Sequence, residues 1–159
     1  MSITIFPRAA RAALLAAVLA CAVALCAAAS ADAAVKPGNY RGKSEQGAVV
    51  SLKVLSSKKA LIKFAWEGAA MGCSDNQVRS IDGGTTGSTQ KIRLSRSGRF
   101  EFGAQLGDAA EFATAGRVNG NRVIGALQVQ ARVNEAGELD PAGAITCDSE
   151  IVEYTLKRR

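Results

Sequence analysis

The sequence predicts an all-β domain, a single antiparallel β-sandwich or small β-barrel of about eight or nine strands with one disulfide. Three observations support this prediction. From Gly38 onward, apolar and polar residues alternate with a period of two in almost every segment, and no window keeps a helical spacing for more than a turn. Turn residues, chiefly Gly and Asn, separate these runs. The same region contains an even pair of cysteines.

The first 31 residues have the three parts of a secretory signal peptide. Arg8 and Arg11 form a positive start, residues 12–29 form an uncharged apolar run, and a small-residue A-x-A pattern ends at Ala31. We therefore expect cleavage after Ala31, or after Ala33 where a second such pattern ends, leaving one domain over residues 32–159.

Two alternatives to a cleaved signal peptide remain. An apolar run of about 18 residues reaches the lower limit for a membrane span, but alanine contributes little to insertion. Cys21 lies in a loose lipobox, but apolar residues follow it where a lipoprotein would have a polar tether. We expect a secreted or periplasmic protein without an anchor in its mature form.

Export determines how the cysteines are interpreted. Cys21 and Cys26 lie inside the apolar run and leave with it, so Cys73 and Cys147 remain. In an oxidising compartment, such a pair is most simply a structural disulfide, which restricts the unfolded chain by about 4 kcal/mol in the loop-entropy model. A redox-active or metal-binding pair is not favoured, because the spacing is not C-x-x-C and the chain has no histidine.

The mature domain has a mild basic bias. Without Arg8 and Arg11, 18 of the 20 basic residues remain against 14 acidic residues, or fewer if Asp32 also leaves. This balance favours contact with anionic envelope polymers or lipid head groups. Nucleic acid is not expected, because aromatic side chains that could stack on bases are not interleaved with the basic residues.

The alternation predicts the strands in order. The runs Ala48–Leu55 and Ala60–Glu67 should pair through a loop of three or five residues, with Ser57 and Lys58 at its tip, because only an odd loop brings both apolar sets onto one face. Further strands are predicted at Gln77–Ile81, Lys91–Leu94, Arg99–Leu106 and, closing the domain, Ala144–Lys157. Substantial loops are predicted at Gly68–Asn76, Asp82–Thr89 and Asn134–Gly143.

A hairpin is predicted at Asn119-Gly120, a dipeptide suited to a type I′ turn, between two alternating runs. If these two residues form the loop, the apolar residues of both strands share one face. Arg117 then lies directly opposite Arg122 on the outer face, an unfavourable pair.

Several short motifs follow one another along the domain. They are Gly38-x-Tyr40-x-Gly42, the run Val49–Val54, Cys73-Ser74-Asp75, Phe100-x-Phe102, Gly116-Arg117-Val118-x-Gly120, and Cys147 followed by Val152-x-Tyr154-x-Leu156-Lys157-Arg158. In this order the chain resembles a group of small exported bacterial all-β proteins with an N-terminal G-x-Y-x-G strand, two cysteines and a terminal aromatic and basic strand. The resemblance implies a disulfide-linked all-β domain and transfers no functional residue.

Two features are candidates for ligand binding. Basic residues near the turn Ser95–Gly98 and the predicted hairpin form a candidate anion-binding patch: Lys91, Arg93, Arg96, Arg99, Arg117 and Arg122. The simpler alternative is a solvated, solubilising face. Trp66, the single tryptophan, is in phase with the apolar face of its strand and should belong to the core, with a sugar- or peptide-stacking platform as the alternative.

Catalysis has little support in the sequence. The absence of histidine excludes histidine-dependent triads and histidine zinc sites, and we expect neither a metal nor a cofactor. Carboxylates on predicted strands would need to converge in one cleft to act together, whereas their alternation with apolar residues is typical of a solvated sheet face: Glu67, Glu101, Glu111, Glu150 and Glu153.

These observations favour a non-enzymatic exported binding or structural module of the cell envelope or exterior, with an anionic envelope polymer or a protein as its partner. Two other hypotheses remain. One is an inhibitor of a secreted or envelope hydrolase, which the basic charge would direct to acidic or neutral targets. The other is a small carboxylate-dependent hydrolase.

Overall fold

The computed structural model describes residues 34–57, 60–85 and 92–159. These residues form ten strands, compared with the eight or nine expected, and include no helix, so none that could cross a membrane. The all-β class is therefore confirmed. The strands are β1 Gly38–Ser44, β2 Val49–Val54, β3 Ala60–Cys73, β4 Val78–Gly84, β5 Ile92–Arg93, β6 Arg99–Leu106, β7 Ala110–Asn119, β8 Arg122–Val133, β9 Ile145–Asp148 and β10 Val152–Arg158.

All ten strands belong to one antiparallel sheet. Its order is β10-β1-β2-β3-β9-β8-β7-β6, with β4 and β5 paired to β3 and a further pairing of β10 with β8. A tight turn joins β5 to β6, and in it the Ser95 N–H donates to the Arg99 carbonyl at 2.8 Å. This turn brings β6, at one end of the order, close to β3 through β5, and β10, at the other end, also pairs with β8. The sheet therefore curls around one core instead of forming two separate layers.

The last strand of the domain is interrupted. The predicted strand Ala144–Lys157 is split into β9 and β10 by residues 149–151, where Glu150 has a positive φ of 55°. β8 pairs with both pieces, and the β1–β2 hairpin lies between β10 and β3. The β1–β2 turn is held against the break and the start of β10, because Gln46 Nε2 donates to the Ser149 carbonyl and the Glu45 N–H donates to the Glu153 carbonyl.

Aromatic side chains fill the interior and join strands that are not neighbours in the sheet. The ring of Trp66 on β3 lies 4.7 Å from that of Phe112 on β7, measured between centroids. Phe64 lies 5.9 Å from Tyr154 on β10. Such tilted contacts contribute about 0.5–1.5 kcal/mol beyond area burial. The curled sheet is thus held closed by its contents as well as by its hydrogen bonds.

One polar chain crosses the core. Thr114 Oγ1 donates to the Ala126 carbonyl at 2.8 Å, so the Tyr154 hydroxyl, 2.9 Å away, donates to Thr114. Burial raises the pKa of Tyr154 above its ordinary 10.0, which keeps the phenol protonated. A Cβ at Gly125 would overlap the Tyr154 hydroxyl, so this position requires glycine.

The turn between β2 and β3 differs from the prediction. The Leu55 N–H donates to the Ala60 carbonyl, so four residues separate this pair and the expected odd loop is wrong. Lys53 pairs with Lys63 but Val54 pairs with Leu61, a one-residue register shift that restores the phase. Lys58, expected at the tip, lies outside the described residues.

The β7–β8 hairpin forms, but its loop begins one residue later in the chain than predicted, so the strand register differs from the prediction. Its loop is Gly120-Asn121, because Asn119 pairs with Arg122. Gly120 has a φ of 59° as the first loop residue, the pattern of a type II′ turn, which prefers glycine there. The shift places Ile124 opposite Arg117, which removes the expected opposition of Arg117 and Arg122.

The predicted loop Gly68–Asn76 is wrong over most of its length, because β3 continues to Cys73. Gly68, with a φ of 72°, lies at a register shift between Trp66 and Ala69 that lets the strand bend and continue. Beyond the bend, Ala69 and Met71 are buried in the core. The prediction of strand Arg99–Leu106 is confirmed with the same bounds.

Candidate functional site

A row of basic side chains crosses three adjacent strands on the outer surface. Arg122 on β8 pairs with Lys157 on β10, and Lys157 pairs with Arg41 on β1. All three are exposed and out of phase with the buried residues of their strands. Because paired residues of neighbouring antiparallel strands have Cβ atoms about 5 Å apart, the three cations form a closely spaced line.

A second pair of cations continues this surface. Lys53 on β2 lies directly opposite Lys63 on β3, and both are exposed. We refer to Arg41, Lys53, Lys63, Arg122 and Lys157 together as the basic face. It lies on the convex side of the curled sheet and spans β8, β10, β1, β2 and β3.

Little negative charge compensates the basic face. Arg41 Nη2 lies 3.6 Å from Glu67 Oε2, but both side chains are more than half exposed, so this salt bridge contributes little. Within the described part of the chain, the other four basic-face residues form no salt bridge. Like charges directly opposite one another destabilise a sheet, so folding alone does not explain the arrangement.

The described residues of the predicted anion-binding patch lie on several elements. Arg93 and Arg96 lie at the β5–β6 turn, whereas Arg99 and Arg117 face each other on β6 and β7. Arg117 Nε also donates to the Ser97 carbonyl. Arg122 belongs to the basic face instead, and Lys91 lies outside the described residues.

Sequence reasoning missed four members of the basic face. Arg41, Lys53, Lys63 and Lys157 are each separated from the predicted patch along the chain, and β10 meets β8 and β1 only in the folded sheet. The alternation of apolar and polar residues did indicate that these four side chains face outward. Their proximity depended on the spatial order of the strands, which alternation does not encode.

Trp66 belongs to the core. Its side chain is 1% exposed and packs between Phe64 and Phe112, so it offers no open ring face to a sugar or peptide. A Cβ at Gly83 would overlap the indole, which shows how closely β4 covers the ring. Trp66 is therefore a core residue, and its ring does not form a stacking platform for a ligand.

The predicted disulfide joins Cys73 at the end of β3 to Cys147 in β9, with an S–S distance of 2.04 Å. The two residues are direct partners in the sheet register. Next to them, Arg79 donates through both terminal nitrogens to the Asp75 carboxylate at 2.8 and 2.7 Å. This guanidinium holds the pKa of Asp75 below its ordinary 3.8. A disulfide and a salt bridge therefore lie together at this end of the domain.

The strand carboxylates are dispersed in the register. Glu67 pairs with Val49, Glu101 with Ala115, and Glu153 with Ala126. Glu111 has glutamine partners on both sides, and Glu150 lies in the break between β9 and β10. The register thus brings no two of these five acids directly opposite each other. Nor does the described part of the chain hold a group of three acidic or cysteine side chains suited to a metal ion.

Comparison with known proteins adds no assignment. The chain matches no family model, no curated protein and no solved structure. The fold and the site define a small, disulfide-linked, curled antiparallel sheet with a basic convex face.

Proposed function

We propose that this protein is an exported, non-enzymatic binding module of the cell envelope or exterior, and that its basic face holds a linear anionic polymer. The observation that carries the proposal is the row Arg122–Lys157–Arg41, in which two successive cross-strand pairs have the same sign. Residues whose charges oppose folding are most readily explained by a role in ligand binding.

The shape of the surface favours a polymer over a small anion. A small ligand is usually held in a concave site that surrounds it, whereas the basic face is convex and its side chains are exposed. Cations about 5 Å apart on neighbouring strands can each meet a separate charge of an extended chain that runs across the strands. Each contact is weak, so binding depends on their number.

Neutralising the row tests the proposal. We expect the triple variant Arg41→Gln/Arg122→Gln/Lys157→Gln of the mature protein to bind immobilised polyphosphate about 100-fold more weakly than the wild type at low salt. Each lost cation should remove about 1 kcal/mol of attraction to an anionic surface. For the wild type, the logarithm of affinity should fall linearly with the logarithm of salt concentration, and the triple variant should show a smaller slope.

The matched control removes the same net charge elsewhere. Lys36→Gln/Arg79→Gln/Arg99→Gln changes three residues outside the basic face, and we expect it to keep polyphosphate affinity within about threefold of the wild type. Equal losses in the two triple variants would mean that net charge alone governs attachment, and the proposal would be rejected. A stoichiometric protein partner captured from envelope extract by both variants alike would favour the inhibitor hypothesis instead.

A single substitution separates the binding role from the folding cost. We expect Lys157→Thr to raise the free energy of unfolding by about 0.5–1 kcal/mol, because it removes two repulsive cross-strand pairs and introduces a residue favoured in strands. The same change should weaken polyphosphate binding about fivefold. Urea unfolding and the binding assay measure the two effects.

Lys43→Thr is the control for Lys157→Thr. Lys43 is exposed on the same outer surface, but its register partners are Thr155 and Val49, so its removal relieves no repulsion. The gain in stability should therefore be larger for Lys157→Thr than for Lys43→Thr. If the two gains are equal, strand propensity accounts for both and the argument from like charges is lost.

A further inference from the structure

A cleft separate from the basic face lies where three distant segments meet. The cleft has a volume of about 610 Å³. Its walls are the start of the described chain, the β2–β3 turn, and β5 with the turn that follows it. The volume is within the range of small-molecule sites. The lining consists of Ala34, Val35, Ser57, Arg93, Leu94, Ser95 and Arg96.

The wall formed by residues 34–37 is fixed in place. The Tyr40 hydroxyl lies 2.6 Å from the Lys36 carbonyl, and Arg158 Nε donates to the Pro37 carbonyl at 2.9 Å. Val35 packs against the core, and a Cβ at Gly98 would come within 2.9 Å of its Cγ2 atom. One wall of the cleft is therefore held before a ligand enters, which lowers the ordering cost of binding.

The chemistry of the lining is divided between cations and apolar groups. Arg93 and Arg96 are exposed, and neither forms a salt bridge with any described residue. Among the described residues, no acidic side chain lines the cleft. Guanidinium groups present planar, fixed donors that match the oxygens of a phosphate or carboxylate. Val35 and Leu94 offer apolar surface beside them.

We propose that this cleft binds a small amphiphile, an oxyanion head group with a short alkyl chain. Arg93 and Arg96 hold the head group, and the side chains of Val35 and Leu94 contact the alkyl chain. This ligand class differs from the extended polymer assigned to the convex face, and the two sites are independent of each other.

Calorimetry with three probes tests the proposal, each used below its micelle concentration. We expect octyl phosphate to bind the mature protein with a 1:1 stoichiometry. Inorganic phosphate, which lacks the alkyl chain, should bind at least about tenfold more weakly, because burying a few methylene groups adds affinity. Octyl glucoside, which keeps the chain but lacks the charge, should show no binding. Equal affinities for octyl phosphate and inorganic phosphate would overturn the assignment of the alkyl chain.

Two double variants locate the site. Arg93→Gln/Arg96→Gln should weaken octyl phosphate binding at least about tenfold, whereas Lys43→Gln/Arg99→Gln, which removes the same charge outside both proposed sites, should leave it within about twofold. Both pairs are exposed, so circular dichroism should show the wild-type fold. Unchanged affinity in Arg93→Gln/Arg96→Gln would overturn the proposal for the cleft. The polyphosphate assay tests the basic face separately, so either proposal can fail alone.

Discussion

Replacing Cys73 and Cys147 together with Ser is expected to lower the free energy of unfolding by about 2–5 kcal/mol. The bridge spans a sequence separation of 74 residues, so its loss frees a long segment of the unfolded chain. In the folded state it lies where the end of β3 pairs with β9, a contact of only two residue pairs. Urea unfolding of a chain of residues 32–159, followed by circular dichroism, measures the change.

Reduction of the wild type provides the control. Wild-type protein unfolded in the presence of a thiol reductant should give the same midpoint as the double variant, because both lack the covalent link. If the reduced wild type keeps its full stability while the variant loses it, the effect comes from serine in a buried site and not from the bridge. A change below about 1 kcal/mol in both would show that β3 and β9 are held by the sheet alone.

The second large effect concerns the core. Trp66→Ala is expected to cost about 3–5 kcal/mol, because it removes the largest fully buried side chain and leaves a cavity beside Phe64 and Phe112. The indole joins β3 to β7, so its loss also weakens the contact that holds the curled sheet closed. The far-ultraviolet signal of the strands reports unfolding when the only tryptophan has been removed.

Trp66→Phe is the informative comparison, and we expect it to cost no more than about 1–2 kcal/mol. Phenylalanine keeps a ring against Phe112, and it removes an indole N–H that has no hydrogen-bond partner among the described residues. An unpaired buried donor is itself destabilising, which offsets part of the lost volume. If Trp66→Phe costs as much as Trp66→Ala, the N–H has a partner and the core accounts for less of the stability than argued.

Local patterns predicted the strands well where each face had one clear role. Along β6, Phe100 and Phe102 alternate with exposed residues, and the predicted bounds of Arg99–Leu106 agree with the structure. The disulfide followed from counting cysteines outside the predicted signal peptide. In both cases the relevant information is local to the segment or contained in the count itself.

Register was the point at which sequence reasoning failed, for a physical reason. A glycine with positive φ can occupy the first position of a type II′ turn or the second of a type I′ turn, so Gly120 allowed two hairpin registers. Between β2 and β3, a bulge compensated a loop of the wrong parity. Bulges and alternative turns cost little free energy, and the side chains packed across the core select between them.

The basic face was beyond sequence reasoning because it depends on spatial strand order. Arg41 belongs to the first strand and Lys157 to the last, and they become neighbours only because β1 pairs with β10. The predicted patch, in contrast, grouped cations that are close in sequence, but Arg93 and Arg96 line the cleft whereas Arg122 belongs to the basic face. Proximity along the chain was a poor guide in a sheet closed by its terminal strands.

The opposed like charges of the outer surface also determine how ionic strength acts on the molecule. Dissolved ions screen the repulsion between Lys157 and its two neighbours, which makes the folded state more stable, and the same ions shield those side chains from a polyanion. We therefore expect concentrated electrolyte to detach the domain from the proposed polyanion while making the domain harder to unfold. Release and denaturation would then be separate events, and a released domain would rebind the polyanion intact on dilution.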